Sequence, residues 1–350
     1  MAGFDGTSVP AELRAFAKEY DLGGVVLFAR NVESAEQVAE LAMDARHLGR
    51  DLPAWVGVDQ EGGRVARLRE PFTRWPPMST LGRSGDDGLA ARFATALARE
   101  LAAVGISLDF APVLDVLTRS PNPAIGDRAL STDADVVSRL GGVLIETWQT
   151  NGIAACAKHF PGHGDTSADS HDEMPLVEAD LERLRAVELQ PFRAAVAARV
   201  ASVMVGHLFV PALDDREPAT LSRTIIRGLL RDELGFDGVV FTDDLDMKAV
   251  ADRHAVGPLV VGAIDAGCDG LLLCGPDHGK QVDAVEALIH AIEDETLPLD
   301  AIELSMSRHR RMKERFIVPE VRRPRPGREL ETLIGAEAHQ IIAHEMAQFA

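Results

Sequence analysis

Short apolar runs alternate with amphipathic stretches along most of the chain. The runs are apolar throughout rather than at every second position, as is typical of strands covered on both faces, and they span 23–28, 54–58, 107–113, 153–157, 201–206, 238–242 and 269–274. Between them, apolar residues recur at helical spacing over roughly 34–49, 88–104, 133–150, 180–199, 222–234, 255–266 and 280–293. Seven strands that alternate with helices predict parallel βαβ units and an α/β fold.

Two kinds of boundary residue support the predicted helices. Ser34 precedes an apolar-periodic run with Gln37 three residues later, which is the spacing of a capping box. Gly235 and Gly267 lie where helices should end.

Polar side chains occur at or just past the carboxyl ends of the predicted strands. They come from several different strands: Asp59, Asp109, Lys158, His159, His207, Asp243 and Asp277. A TIM (β/α)8 barrel builds its site at that end from many strands, whereas a doubly wound open sheet binds its ligand near one switch point. The pattern therefore favours the barrel. Its first strand has one candidate, the residues around Met1–Phe4, and we expect it to be short or truncated.

Composition and charge narrow the class of protein. The 350 residues carry a formal net charge of −19, which argues against a nucleic-acid partner, because such binding needs a concentrated basic face. Cys156, Cys268 and Cys274 are odd in number and lie in apolar runs, so we expect no disulfide framework. We see no transmembrane stretch and no signal peptide, and we expect a cytoplasmic protein.

The composition changes after Ile317. We expect residues 1–317 to form one catalytic barrel domain and residues 318–350 to form a Pro/Arg-rich arm followed by an amphipathic helix. The apolar stripe of that last helix is compatible with two interpretations, docking on the outside of the barrel or binding a partner, and docking is the simpler one.

The densest group of titratable residues is the segment 158–175, KHFPGHGDTSADSHDEMP. Pro161, Gly162 and Gly164 bend the backbone too sharply for a helix or strand, so the segment reads as a loop. Because a rigid strand precedes it, we expect an active-site loop at the carboxyl end of that strand.

Two other clusters contribute candidates. In FTDDLDM (241–247), Asp243 directly follows a buried strand, while Asp244 and Asp246 are better placed to cap the next turn; all three could be caps. In VDQEGGRVARL (58–68), a carboxylate and guanidinium groups lie near each other, as sugar hydroxyls require, although a phosphate cradle is also conceivable. Arg128 follows another strand and could either join this site or pair with Asp127.

Other chemistries fit the sequence less well. His159, His163, Asp165, Asp169 and His171 could bind zinc by residue type, but they lack the spacing of HExxH or CxxC sites. A nucleophilic serine is disfavoured because there is no GxSxG elbow, and Cys156 is expected to be a core thiol. We therefore expect no metal and no cofactor.

Taken in order, these motifs resemble glycoside hydrolase family 3, and within it the single-domain NagZ-type β-N-acetylglucosaminidases. The resemblance covers residues 3–317 and rests on GFDG (3–6), GGVVLFARN (23–31), VDQEGGRV (58–65), DFAPVLDV (109–116), KHFPGHGDTSADSH (158–171) and GFDGVVFTDDLDM (235–247). It implies a (β/α)8 barrel and an exo-acting enzyme that releases terminal N-acetylglucosamine from cell-wall fragments.

The resemblance also implies roles for individual residues. Asp243 matches the family's nucleophile, His171 its general acid/base, and Asp169 the carboxylate that orients His171. The positions that match sugar-binding residues or approach the pocket are Asp59, Arg67, Arg128, Lys158, His159 and His207. This assignment fits a retaining mechanism, in which one carboxylate attacks the anomeric carbon and an acid protonates the leaving oxygen.

Alternatives stay open within and outside this class. The enzyme could use phosphate as its acceptor, act on glucosides, or be an inactive sugar-binding relic. Its expected partners are small carbohydrates rather than nucleic acid or membrane, and we expect a monomer or weak homodimer.

Overall fold

The computed structural model describes residues 1–167, 169–170, 173–317 and 327–350. In this part of the chain the strands are, in order, β1 (Gly24–Leu27), β2 (Trp55–Val58), β3 (Gln60–Gly62), β4 (Val65–Ala66), β5 (Leu108–Asp109), β6 (Ala154–Phe160), β7 (Ser202–Val205), β8 (Val239–Asp244) and β9 (Gly270–Leu272). All but β3 and β4 form one curled parallel sheet in the order β1-β2-β5-β6-β7-β8-β9, and β3 pairs antiparallel with β4. The predicted parallel α/β organisation is confirmed.

Helices connect these strands and cover the outside of the sheet. They are α1 (Ala11–Tyr20), α2 (Ala35–Arg46), α3 (Ser79–Ser84), α4 (Asp87–Ala103), α5 (Ala134–Thr150), α6 (Leu181–Ala186), α7 (Gln190–Ala197), α8 (Lys248–Ala251), α9 (Val256–Ala266), α10 (His278–Glu293), α11 (Leu299–Phe316), α12 (Gly327–Leu333) and α13 (Glu337–Ala347). The segment Thr224–Glu233 is a π-helix, and short 3₁₀ turns lie at Ala29–Asn31, Gly126–Arg128 and Ala219–Leu221.

Two predicted boundaries are confirmed and one helix is divided. The hydroxyl of Ser34 accepts from the backbone N–H of Gln37 at 3.2 Å, and Gly267 ends α9 in a left-handed conformation with φ 117°. The single helix predicted over 180–199 is instead α6 and α7, because Pro191 has no N–H to continue the first helix and occupies the first turn of the second.

The strand predicted over 107–113 is regular only at Leu108–Asp109. Pro112 cannot donate a backbone hydrogen bond, so the following segment leaves the regular ladder. It still runs beside β6, because Cys156 N donates to Ala111 O at 2.8 Å and Leu114 N donates to Lys158 O at 2.7 Å. This course brings the residues after β5 to the end of β6.

The first residues of the chain bridge the two edges of the sheet. Ala2 forms parallel bridges with Val25 in β1 and with Leu273 just after β9. Its backbone N–H donates to Gly24 O at 3.1 Å, and that of Gly3 donates to Leu273 O at 2.8 Å. The short segment Met1–Gly3 therefore lies between the edge strands.

Alternate side chains of the strands enter two different cores. In β2, Trp55 points into the sheet's concave side, whereas Val56 and Val58 join the core formed with the surrounding helices. Inside the sheet, the rings of Phe110 and Phe241 meet edge to face with centroids 5.8 Å apart. This packed interior supports the strand ends that carry the polar residues.

The last two helices pack on the outside of the domain. Leu330 and Met346 are buried in the outer core, and the backbone N–H of Gly335 and Nδ1 of His339 both donate to the buried Glu100 carboxylate of α4, at 3.0 and 2.8 Å. The Pro/Arg-rich segment 318–326 lies outside the described residues. Within the described ranges, we find no helix with the length and apolar character needed to cross a bilayer.

Candidate active site

A cavity of about 140 Å³ opens at the carboxyl ends of the strands. Its lining includes seven of the predicted site residues, namely Asp59, Arg67, Arg128, Lys158, His159, Asp169 and Asp243. These side chains come from four separate parts of the sequence and meet because neighbouring parallel strands end at the same edge.

Lys158 is the buried cation at the centre of this lining. Its ammonium group lies 2.8 Å from an Asp59 oxygen and 2.7 Å from a Glu61 oxygen. Burial alone would lower the pKa of Lys158, but the two carboxylates raise it above its ordinary value. Both carboxylates have lowered pKa values, because the nearby cations outweigh the effect of their burial. The cluster is therefore fully ionised at neutral pH.

Glu61 also fixes Arg128. The Nε and Nη2 groups of Arg128 each donate to one Glu61 oxygen at 2.8 Å, and Nη1 donates to Ala124 O at 2.8 Å. The alternative that Arg128 pairs with Asp127 is wrong, since Asp127 lies 3.4 Å from Arg64. A bidentate pair of this kind sets the plane of the guanidinium group.

Arg67 approaches the cavity from the β3–β4 hairpin. Its Nη2 group donates to Asp59 at 3.2 Å, and its Nε is buried without a hydrogen-bond partner among the described residues. A buried donor of this kind is costly unless a ligand satisfies it.

His159 is oriented by a carboxylate that sequence reasoning did not identify as a site residue. Its Nδ1 lies 2.7 Å from Asp115 Oδ2, and the other Asp115 oxygen accepts from the backbone N–H of His163 at 2.6 Å. Burial alone would raise the pKa of Asp115, but His159 lowers it below its ordinary value. The carboxylate holds Nδ1–H, so Nε2 of His159 faces Arg128 at 3.4 Å.

Asp243 contributes the carboxylate from the neighbouring side of the sheet. Its Oδ1 accepts from the backbone N–H of Asp244 at 2.8 Å. Burial alone would raise the pKa of Asp243, but His159 and His207 hold it below its ordinary value. The side chain is thus ionised and available as a base or nucleophile.

Of the two acids expected to cap the next turn, Asp244 accepts from a backbone N–H of that turn, whereas Asp246 bonds to the segment after β9 instead. Asp244 Oδ1 accepts from the backbone of Asp246 and Cys274 at 3.0 and 3.1 Å. Asp246 accepts from Gly275 N at 2.8 Å and contacts Lys280. Burial raises the pKa of Asp244 to about 6.

The loop after β6 is held tightly at its start. A Cβ added to Gly164 would lie 1.7 Å from Val116 O, so only glycine permits this approach of the two backbones. Asp165 is nearly buried and lies 3.2 Å from Arg183. Farther along, Asp169 reaches the cavity. His171, the predicted acid/base, lies outside the described residues.

Three strand-end residues are not in the cavity lining. His207, expected where the barrel rim approaches the pocket, is fully buried and is absent from the lining. Asp109 is buried beneath the cluster, where it accepts from Gln60 N at 2.9 Å. Asp277 caps α10 by accepting from Lys280 N at 3.1 Å, since a carboxylate stabilises a helix N-terminus.

Glu61 and Asp115 are the site residues that the sequence did not reveal. Each lies within a recognised motif, VDQEGGRV or DFAPVLDV, yet neither directly follows a strand. For Asp115 the available signal was an acidic residue inside the apolar segment FAPVLDV, because a buried carboxylate needs a cationic or hydrogen-bonding partner.

Other expectations can be compared with the described residues. Cys156 is a buried thiol in β6, and burial raises its pKa to about 12. Within the described ranges, no group of three or more His, Cys, Asp or Glu side chains could hold a metal ion.

The fold and the site define a glycoside hydrolase, with carboxylates and cations lining a small cavity at the carboxyl end of a parallel sheet. A sequence model described as the glycosyl hydrolase family 3 N terminal domain matches residues 6–312. The chain belongs to this family.

Named relatives agree with this membership. The chain is 42% identical over 272 residues to a β-hexosaminidase of Thiobacillus denitrificans, covering 76% of this chain and 74% of that protein. A glycoside hydrolase family 3 β-N-acetylglucosaminidase from Paenibacillus sp. superposes with a TM-score of 0.94 at 37% identity, covering 100% of this chain and 66% of that one. NagZ from Neisseria gonorrhoeae in complex with N-trifluoroacetyl-D-glucosamine superposes with a TM-score of 0.81 at 30% identity. The match covers 100% of this chain and 97% of that one.

Proposed function

We propose that the protein is a retaining exo-β-N-acetylglucosaminidase that works through a covalent intermediate on Asp243. The observation that carries the proposal is the ionised Asp243 carboxylate in the same 140 Å³ cavity as the Lys158–Asp59–Glu61–Arg128 cluster. An ionised carboxylate beside donors and acceptors for hydroxyl groups is what a retaining glycosidase requires.

Binding of the sugar would use both charges of the cluster. Asp59 offers acceptor oxygens, and Lys158, Arg67 and Arg128 offer donors. Because the cluster is already paired within the protein, its side chains are fixed before the sugar arrives, and little side-chain entropy is lost on binding. The similarity to a structure bound to N-trifluoroacetyl-D-glucosamine supports an N-acetylglucosaminide as the substrate.

The chemical steps then follow. Asp243 attacks the anomeric carbon while a protonated group donates a proton to the leaving oxygen, and a glycosyl–Asp243 ester forms. We assign that proton to His171, oriented by Asp169, from the family's motif in the sequence. In the second step the neutral imidazole takes a proton from water, which attacks the anomeric carbon and releases the sugar with its original configuration.

Two wider features belong to the same proposal. We infer that Met1–Gly3 acts as the eighth strand of a closed (β/α)8 barrel, since Ala2 bridges both edge strands. We also propose that the substrates are cell-wall fragments and that the enzyme acts in the cytoplasm. Its three cysteines are buried free thiols, which is compatible with a reducing compartment.

The experiment is hydrolysis of an aryl β-N-acetylglucosaminide followed by NMR of the first-formed sugar. We expect the β-anomer, and faster turnover than with the matching aryl β-glucoside. Release of the α-anomer contradicts the retaining mechanism, and a preference for the glucoside contradicts the assigned sugar. Parallel reactions with phosphate distinguish phosphorolysis, because a sugar 1-phosphate would then accumulate. Absence of turnover by folded protein supports the sugar-binding relic.

A further inference from the structure

His207 lies just after β7 and is not among the residues that line the cavity. Its side chain is fully buried, and the preceding Gly206 continues the β6–β7 pairing by donating to Phe160 O at 2.9 Å. The expected role of His207 at the pocket rim therefore does not account for its position.

The ring of His207 is held at both nitrogens. Nε2 lies 2.9 Å from the backbone carbonyl oxygen of Asp244. A carbonyl oxygen has only lone pairs to offer, so Nε2 carries the hydrogen and donates it. Nδ1 lies 2.7 Å from the hydroxyl of Thr220, a buried residue in the 3₁₀ turn Ala219–Leu221. The Thr220 hydroxyl is in turn 3.2 Å from Gly206 O, so the ring orientation is fixed from both sides.

The residue that His207 contacts is the one that orients the attacking carboxylate. The backbone N–H of Asp244 donates to Asp243 Oδ1 at 2.8 Å. The side chain of Asp244 accepts from Cys274 N at 3.1 Å, and its carbonyl oxygen accepts from Met247 N at 3.1 Å. His207 binds the same carbonyl oxygen.

We propose that His207 is a positioning residue, which holds Asp244 through its carbonyl oxygen so that the N–H of Asp244 orients the carboxylate of Asp243. One oxygen of Asp243 then accepts this N–H, and the other is left to bond to the anomeric carbon. The inference rests on the proposed function, in which Asp243 is the nucleophile. The lowered pKa of Asp243, to which His207 contributes, agrees with this arrangement.

The test compares two substitutions of His207, each of which places an amide nitrogen where one of the two ring nitrogens lies. In His207→Gln the amide nitrogen can take the place of Nε2 and keep the donor to Asp244 O. In His207→Asn it takes the place of Nδ1 and loses that donor. The measurement is the rate of glycosylation of an aryl β-N-acetylglucosaminide in single turnovers, together with KM and the unfolding temperature.

We expect His207→Asn to lower the glycosylation rate by about 10- to 100-fold, because misalignment of a reacting group costs rate rather than binding. KM should change by less than about threefold, and His207→Gln should retain the rate within about fivefold. Equal rate losses and equal destabilisation in both variants would indicate a packing role and overturn the inference. A raised KM at an unchanged rate would indicate a sugar contact and also overturn it.

Thr220 provides a second route that leaves His207 in place. Thr220→Val is nearly the same size and removes the hydroxyl that holds Nδ1, so the rate should fall by about 3- to 10-fold. Thr220→Ser keeps the hydroxyl and should retain the wild-type rate. Wild-type rates in both Thr220 variants and in His207→Asn would exclude positioning by this chain of contacts.

Asp243→Ala separates this inference from the proposed function. If the wild type is active and Asp243→Ala is inactive while His207→Asn behaves as wild type, the positioning role alone is wrong. If Asp243→Ala keeps the wild-type rate, the nucleophile is wrongly assigned and both proposals are wrong.

Discussion

The molecule contains buried ion networks at both ends of its sheet. One of them borders a cavity, and the other is bonded to backbone groups. At the carboxyl end, Lys158 and Arg128 share Glu61, and the cluster lines a cavity. At the amino end, Asp269 accepts from Arg308 at 3.1 Å, contacts Arg231 and also accepts from the backbone of Val240 at 2.8 Å.

The amino-end network is closed by the main chain. Arg231 donates to the carbonyl oxygens of Phe236 and Gly238 at 3.0 and 2.6 Å, so its guanidinium group joins a helix to the start of β8. Arg308 brings α11 to the same carboxylate. The same residue types therefore join segments of the fold where backbone groups complete the network, and line a cavity where polar side chains stay open to a ligand.

The largest expected effect is at the cavity. Asp243→Asn keeps the acceptor for Asp244 N but removes the negative charge, so kcat should fall by about 10⁴-fold or more, while the unfolding temperature changes little. The fall in kcat is measured with an aryl β-N-acetylglucosaminide as the substrate. Asp277→Asn, at a strand end outside the cavity, is the matched control and should keep its activity. A comparable loss in the control would remove the distinction between the two positions.

At the amino end the effect should appear in stability. Asp269→Asn leaves the buried Arg231 without its counter-ion and Arg308 with only the exposed Asp237, and should lower the free energy of unfolding by about 3 kcal/mol. Below the unfolding transition, kcat should match the wild type. The control is Asp237→Asn, which removes the exposed partner of Arg308 and should cost less than about 1 kcal/mol. A large loss of kcat in folded Asp269→Asn would show that the two ends are not separable.

Asp109, beneath the cavity cluster, should give the stability a pH dependence. Burial raises its pKa from 3.8 to about 8, so the folded protein keeps the carboxyl group protonated where the unfolded chain ionises it. Unfolding therefore releases a proton between these values, and the free energy of unfolding falls as the pH rises, by up to about 1.4 kcal/mol per pH unit.

Asp109→Asn removes this proton release. Between pH 5 and pH 8 the free energy of unfolding of the variant should fall by about 3–4 kcal/mol less than that of the wild type, measured by urea unfolding. Parallel stability profiles for the two proteins would mean that Asp109 is ionised in the folded state.

The smallest effect should come from a network remote from both ends. Glu100 of α4 accepts from the Thr73 hydroxyl at 2.6 Å, from Gly335 N at 3.0 Å and from His339 at 2.8 Å. Glu100→Gln keeps one acceptor oxygen, so we expect a loss of about 1–2 kcal/mol and unchanged kcat. Limited proteolysis near residue 327 provides the complementary measurement. Resistance equal to that of the wild type would indicate that apolar packing alone holds the last helices.

The sequence predicts the fold well because its signals are local. Unbroken apolar runs define the sheet strands, and four residues at strand ends, Asp59, Lys158, His159 and Asp243, meet in one cavity. The shortness of β5 was missed, since its apolar pattern continues through Pro112 while the hydrogen-bond ladder does not.

The rest depends on contacts between distant segments. Glu61 meets Arg128, 67 residues away, and Asp115 meets His159, 44 residues away, so neither pair has a periodicity to reveal it. His207 illustrates the opposite error. It lies at a strand end like Asp59 and Asp243, but its ring nitrogens contact Thr220 and Asp244, and the side chain is absent from the cavity lining.

Glu61 is the counter-ion of both Lys158 and Arg128. Substitutions at these two cations are therefore coupled in evolution. Replacing either one would leave excess negative charge that the other must balance, and the effects of the two substitutions should not add. Changes of sugar preference in descendants of this protein would then require coordinated substitutions at three positions. This shared carboxylate restricts the evolutionary routes by which the site could acquire a new substrate.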